Sequence, residues 1–108
     1  MKMKIDLIPL MKKRKSVIEY VQLEINKGDQ SFNSGNIDMS LIYYRCALAF
    51  LLDINYKDNK ISKLYCTLEE KFRLIAGNRE KLQHSILGRN LVGDIQDARV
   101  GVKSYLKK

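Results

Sequence analysis

The chain reads as an all-α protein, on three observations. Apolar residues recur at three- and four-residue steps through several long segments, which is the period of one buried helix face. The punctuation between those segments is helix-stopping chemistry: Asn33-Ser34-Gly35-Asn36, a polar stretch from Asn55 to Lys60, and Gly77-Asn78. Composition agrees, because Lys, Leu, Ile and Asn are abundant, Val and Thr are sparse, and Pro occurs once, at Pro9.

The first helix runs from Leu10 to Ser34, with Val17, Ile18, Val21, Ile25 and Phe32 along its apolar face. Gly and Asn tolerate the left-handed conformation that ends a helix, so 33–36 is a sharp turn, and Asn36 or Asp38 is placed to cap the second helix. That helix, Asp38 to Asp53, is apolar nearly all round (Met39, Leu41, Ile42, Tyr43, Cys46, Leu48, Phe50, Leu51 and Leu52), as expected of the most buried element of a bundle. Asp58 or Asn59 then caps a third helix whose face is Ile61, Leu64, Tyr65, Leu68, Phe72 and Ile75, closed by Gly77. A short helix comes next, from Arg79 to Leu87. The last, Asn90 to Leu106, presents Leu91, Ile95, Ala98, Val102 and Leu106, and Gly93 and Gly101 weaken it by about 1 kcal/mol each. The predicted architecture is an antiparallel three-helix bundle over 11–76 with a helical tail over 77–108. With 108 residues, all of it belongs to one domain.

Net charge is +8 and the pI is near 9.6, which favours anionic partners: nucleic acid, lipid headgroups or acidic protein. The densest basic cluster is Lys12-Lys13-Arg14-Lys15, and Lys107 and Lys108 add to it. Asp6 and Pro9 interrupt the apolar run of the first eleven residues before it can form a signal-peptide core. No stretch approaches the roughly eighteen uninterrupted apolar residues of a membrane span, so a soluble, cytoplasmic protein is expected. Cys46 and Cys66, with one His in the chain, are too few for a zinc site, and they read as reduced and buried. No metal or cofactor is expected.

From Gly28 to Leu48 the spacing lets two antiparallel helices approach closely: Gly28 removes a side chain where the second helix crosses, and Ala47 does the same from the other side. With Gly28, Gly35, Tyr44 and Ala47 at matching positions and Ser40 at the small-residue position, this segment resembles a tetratricopeptide-type helical hairpin. The microtubule-interacting-and-trafficking domain, a three-helix bundle that begins with such a hairpin, is similar in outline over about Met11 to Ala76. That resemblance implies an adaptor that docks an amphipathic helix beside its third helix. Lys63, Lys71 and Arg73 would steer an acidic partner segment there, with Tyr65 and Phe72 at the site; a homo-oligomer is also compatible.

Two alternatives stand beside it. One is a basic nucleic-acid-binding regulator using Lys12 to Lys15, although no helix-turn-helix spacing or RNP-like aromatic pattern is present. The other is catalysis by Arg79 and His84, an Arg-x4-His spacing similar to that of the helical HEPN ribonucleases, in which the pair is suited to proton transfer and phosphate stabilisation. No other nucleophile arrangement or phosphate-binding glycine loop exists. The expected function is therefore a non-enzymatic protein-binding module.

Overall fold

The computed structural model describes the backbone of residues 9–54, 59–83 and 85–106 and, within them, side chains from residue 16 to residue 100. The chain is all-α: every regular element among the described residues is helical. Helix α1 spans Pro9–Asn33, α2 Ile37–Asp53, α3 Asn59–Ala76, α4 Arg79–Leu82 and α5 Leu91–Leu106, the last preceded by a 3-10 turn, Leu87–Asn90. Pro9 occupies the first helical position, where its missing N–H costs nothing and its fixed φ suits the helix.

The α1–α2 turn has the predicted chemistry in full. Gly35 has φ +87°. The Asn36 N–H donates to the Ser31 carbonyl at 2.8 Å and that of Gly35 to Phe32 at 3.0 Å, the paired bonds of a Schellman end. The Asn36 side chain then accepts the Met39 N–H at 3.1 Å and caps α2. Tyr20 lies opposite Phe50 and Gly28 opposite Tyr44, rising numbers meeting falling ones, so the two helices are antiparallel.

Helix α3 buries Ile61, Leu64, Tyr65, Leu68, Phe72 and Ile75, the predicted face residue for residue. Its exit is tighter than the glycine suggested. Gly35 is the only described glycine with positive φ, so Gly77 leaves α3 without a left-handed turn, and Asn78 at once caps α4 by accepting the Lys81 N–H at 3.3 Å. Helix α4 stops after one turn, at Leu82 rather than Leu87, because the chain from Ser85 to Leu87 bends to hydrogen-bond Asp38 at the start of α2.

The segment after Gly77 is not a tail. Leu91 and Ala98 of α5 are fully part of the core, with Leu87 and Ile95 packed against it. Helix α5 lies mainly on α3 as α1 lies mainly on α2, and the two pairs meet through α2, α3 and the lesser α1–α3 and α2–α5 contacts. The centre holds Tyr44, Leu41, Leu51, Ile61, Leu68, Phe72 and Ile75. The Tyr44 and Phe72 rings meet edge to face, with centroids 6.0 Å apart.

Candidate interaction surface

Two of the five residues expected to form a docking site on α3 do not reach the surface. Tyr65 and Phe72 are buried in the core. The Lys71 ammonium bridges to Asp29 of α1 at 3.0 Å, and Arg73 is engaged by Glu69 one turn away at 2.9 Å. Lys63 alone of the five is exposed without a contact of this kind. Helix α5 packs along one side of α3.

Arg79 is exposed on α4, while His84 lies outside the described residues, as do Asp58, the side chains of Lys12, Lys13, Arg14 and Lys15, and Lys107 and Lys108. Among the described residues no group of three or more His, Cys, Asp or Glu side chains could hold a metal ion, and no helix is long and apolar enough to cross a membrane. Cys46 and Cys66 are free thiols, as expected, but both are exposed rather than buried. Each falls one step round its helix from a core residue, Ala47 in α2 and Tyr65 in α3.

The polar clusters tie helices together. Asp38 accepts the Ser85 hydroxyl at 2.5 Å and the N–H groups of Ile86 and Leu87 at 3.1 Å each, anchoring the start of the 3-10 turn to α2. The Ser85 hydrogen bond above all, then the Leu87 and Ile86 amides and nearby Arg45, hold this carboxyl below its ordinary pKa. Arg45 pairs with Asp94 of α5 at 2.7 Å and donates to the Leu87 carbonyl at 2.6 Å. The Tyr44 hydroxyl donates to Asp29, and burial first, then that acceptor, pushes the phenol well above its usual pKa. At the α1–α2 turn, an open depression is lined by Ser34, Asn36, Asp38, Lys81 and Ser85. Its charged groups are already engaged, Asp38 as described and Lys81 over the Phe32 ring at 4.8 Å from the centroid.

The surface that stands out is the outer side of the α1–α2 pair. Helical spacing puts Tyr20, Leu23 and Lys27 of α1 and Tyr43, Cys46 and Phe50 of α2 along one seam. Asp29 and Tyr44, which reach α3 through Lys71 and Phe72, lie on the other side. Tyr20 and Phe50 pack ring against ring at 4.7 Å yet remain 40% and 37% exposed; Leu23 is 50% exposed. Lys27 sits over the Tyr43 ring at 5.8 Å from its centroid and bridges to Glu24 at 3.7 Å. The sequence carried a signal for this face. A helix apolar nearly all round needs partners on more than one side, and α3 with α5 covers only one side of α2. Sequence reasoning read Tyr43 and Phe50 as part of the apolar second helix and left Tyr20 and Leu23 off the face of the first.

Comparison with family models, curated proteins and solved structures gives no match. The functional reading therefore rests on the geometry of the chain itself.

Proposed function

We propose that this protein is a non-enzymatic interaction module that binds a helical protein partner through the outer face of its α1–α2 hairpin. The observation that carries the reading is the half-exposed Tyr20–Phe50 ring pair with Leu23 beside it. Large aromatic and aliphatic side chains left together on a folded surface are the usual anchors of a protein interface. The close crossing of Gly28 and Tyr44 supports the tetratricopeptide-type resemblance of this hairpin, and in that architecture an open hairpin face is where the next helices stack. Free thiols at Cys46 and Cys66 fit a reducing, cytoplasmic setting.

The test is affinity capture from nuclease-treated lysate at high salt with wild type, a Leu23→Glu/Phe50→Glu variant and a Leu74→Glu variant. Leu74 is 58% exposed on α3 and stands for the site first expected there. Loss of captured protein with the α1–α2 variant and retention with Leu74→Glu supports the reading; the reverse pattern returns the site to α3.

A second reading, binding of nucleic acid, is favoured by one observation. Glu24, Asp29, Glu69 and Asp94 are each paired with one Lys or Arg, so the excess basic charge of +8 is carried by residues outside those pairs. It predicts affinity for nucleic acid that falls steeply with salt and depends on Lys12, Lys13, Arg14 and Lys15.

A further inference from the structure

We propose that the end of the bundle opposite the α1–α2 turn docks on an anionic membrane surface, through basic residues that the fold gathers there from three helices. Helix α2 runs from the turn to Asp53, and α1, antiparallel to it, sets Tyr20 opposite Phe50. Counted back from that pair, Asp53 is level with Val17, so residues 9–16 of α1 run about 12 Å past the end of α2. That overhang carries Lys12, Lys13, Arg14 and Lys15.

Two other helices bring cations to the same end. Helix α3 begins there, since the chain passes from Asp53 to Asn59 in a short connection, and its first two turns hold Lys60 and Lys63, both exposed. Helix α5 runs alongside α2 in the same direction: Leu87 reaches Asp38 and Asp94 reaches Arg45, with a sequence separation of 49 in both. That register sets Lys103 level with Ile54 and the exposed Arg99 about one turn short of it. Within one turn of the α2 end, the opposing carboxylates among the described residues are Glu19 and Asp53. At the turn end, by contrast, Lys71 and Arg73 are held in ion pairs with Asp29 and Glu69.

The residues around the basic cluster favour lipid as the anion. Ile5, Leu7, Ile8, Leu10 and Met11 lead directly into Lys12. An apolar stretch joined to a polybasic run supplies two attractions to an anionic membrane, insertion at the headgroup boundary and Coulomb attraction to the headgroups. Nucleic acid uses the second alone, and the aromatic side chains on which bases stack are missing from residues 1–16. No helix among the described residues is long and apolar enough to cross the bilayer, so the contact is with its surface.

The experiment is co-sedimentation of the full chain with vesicles of phosphatidylcholine, alone or mixed with phosphatidylserine, at physiological salt. Wild type is compared with Lys60→Gln/Lys63→Gln, Arg79→Gln/Arg89→Gln and Leu10→Ser/Met11→Ser, each checked for helical content. Arg79 and Arg89 are exposed toward the turn end, so both charge pairs lower the net charge equally, but the second lies farther from the lipid than the roughly 8 Å over which salt screens. Wild type binds the phosphatidylserine vesicles and not phosphatidylcholine alone. Lys60→Gln/Lys63→Gln weakens binding about 25-fold, about fivefold for each lysine. Arg79→Gln/Arg89→Gln changes it less than about twofold. Leu10→Ser/Met11→Ser weakens it about tenfold with the charge unchanged. Wild type that ignores phosphatidylserine vesicles overturns the proposal. Equal losses from the two charge pairs overturn it too, since net charge and not the gathered end then governs, and so does full binding by Lys60→Gln/Lys63→Gln. An oligonucleotide bound in place of vesicles, with Leu10→Ser/Met11→Ser silent, overturns lipid and assigns the same end to nucleic acid.

Discussion

Replacing Gly28 with alanine isolates the contact that sets the α1–α2 crossing. An added Cβ there would stand 2.7 Å from Cδ1 and 2.9 Å from Cζ of Tyr44, well inside van der Waals contact. The ring cannot simply swing aside: its hydroxyl is held by Asp29, its edge meets Phe72, and the residue is 2% exposed. Two terms compete. Alanine is better than glycine inside a helix by about 1 kcal/mol. Forcing a methyl into a closed core costs about 1–3 kcal/mol, and the fixed ring puts this site toward the upper end. The net expectation is a loss of about 1–2 kcal/mol, a fall in Tm of roughly 5–15 °C for a domain of this size. Thermal unfolding followed by far-UV circular dichroism reads it directly. In a Tyr44→Leu background the obstacle is gone, and the same Gly28→Ala change becomes neutral or stabilising, so the double-mutant cycle shows strong coupling. A Gly28→Ala protein that melts above the wild type, or a cycle without coupling, would refute the crossing geometry.

Gly93 gives the opposite sign with the same substitution. A Cβ there meets nothing within 4 Å, so Gly93→Ala stabilises α5 by about 1 kcal/mol, seen as a rise in the denaturation midpoint. Phe72→Ala, at a side chain with no exposure that carries the Tyr44 ring, costs about 3–5 kcal/mol in chemical denaturation. Asp38→Ala releases the Ser85–Leu87 bend without unfolding α1 and α2, and amide exchange accelerates at Ile86 and Leu87. The same link gives a pH dependence. The Asp38 pKa is lowered in the fold, so the stabilisation is present above the ordinary value of 3.8 and is lost as pH falls through the lowered one, the anchor at 85–87 loosening in acid.

Local signals carried most of the fold. The face of α3 was readable because its six core positions recur at helical spacing with every charged residue off that face, and the α1–α2 turn because Gly35 and Asn36 have few other uses in that order. What escaped was non-local. Nothing between Arg79 and Leu87 reveals that its amides are taken by Asp38, more than forty residues earlier, so the short helix was drawn too long. The weak, glycine-bearing pattern of α5 hid its place in the core, since the burial of Leu91 and Ala98 depends on distant elements, α3 above all. That misreading reached the site as well, since Tyr65 and Phe72, expected at a docking surface, are core. Of the outer face, Tyr43 and Phe50 were read as apolar positions of α2, whereas Tyr20 and Leu23 fell off the face drawn for α1. Periodicity counts such positions without saying how many sides of a helix the rest of the chain will cover.

The two cysteines offer the most direct measurement of the central claim, because they are exposed in one molecule on different surfaces: Cys46 on the outer α1–α2 face, Cys66 on α3. Thiol alkylation rates at both are measured by mass spectrometry in dilute solution and again at high protein concentration or in the presence of captured partner. Slowing at Cys46 with no change at Cys66 is the predicted result. Equal behaviour at the two thiols, or protection of Cys66 alone, would contradict the assignment of the outer α1–α2 face as the interaction surface.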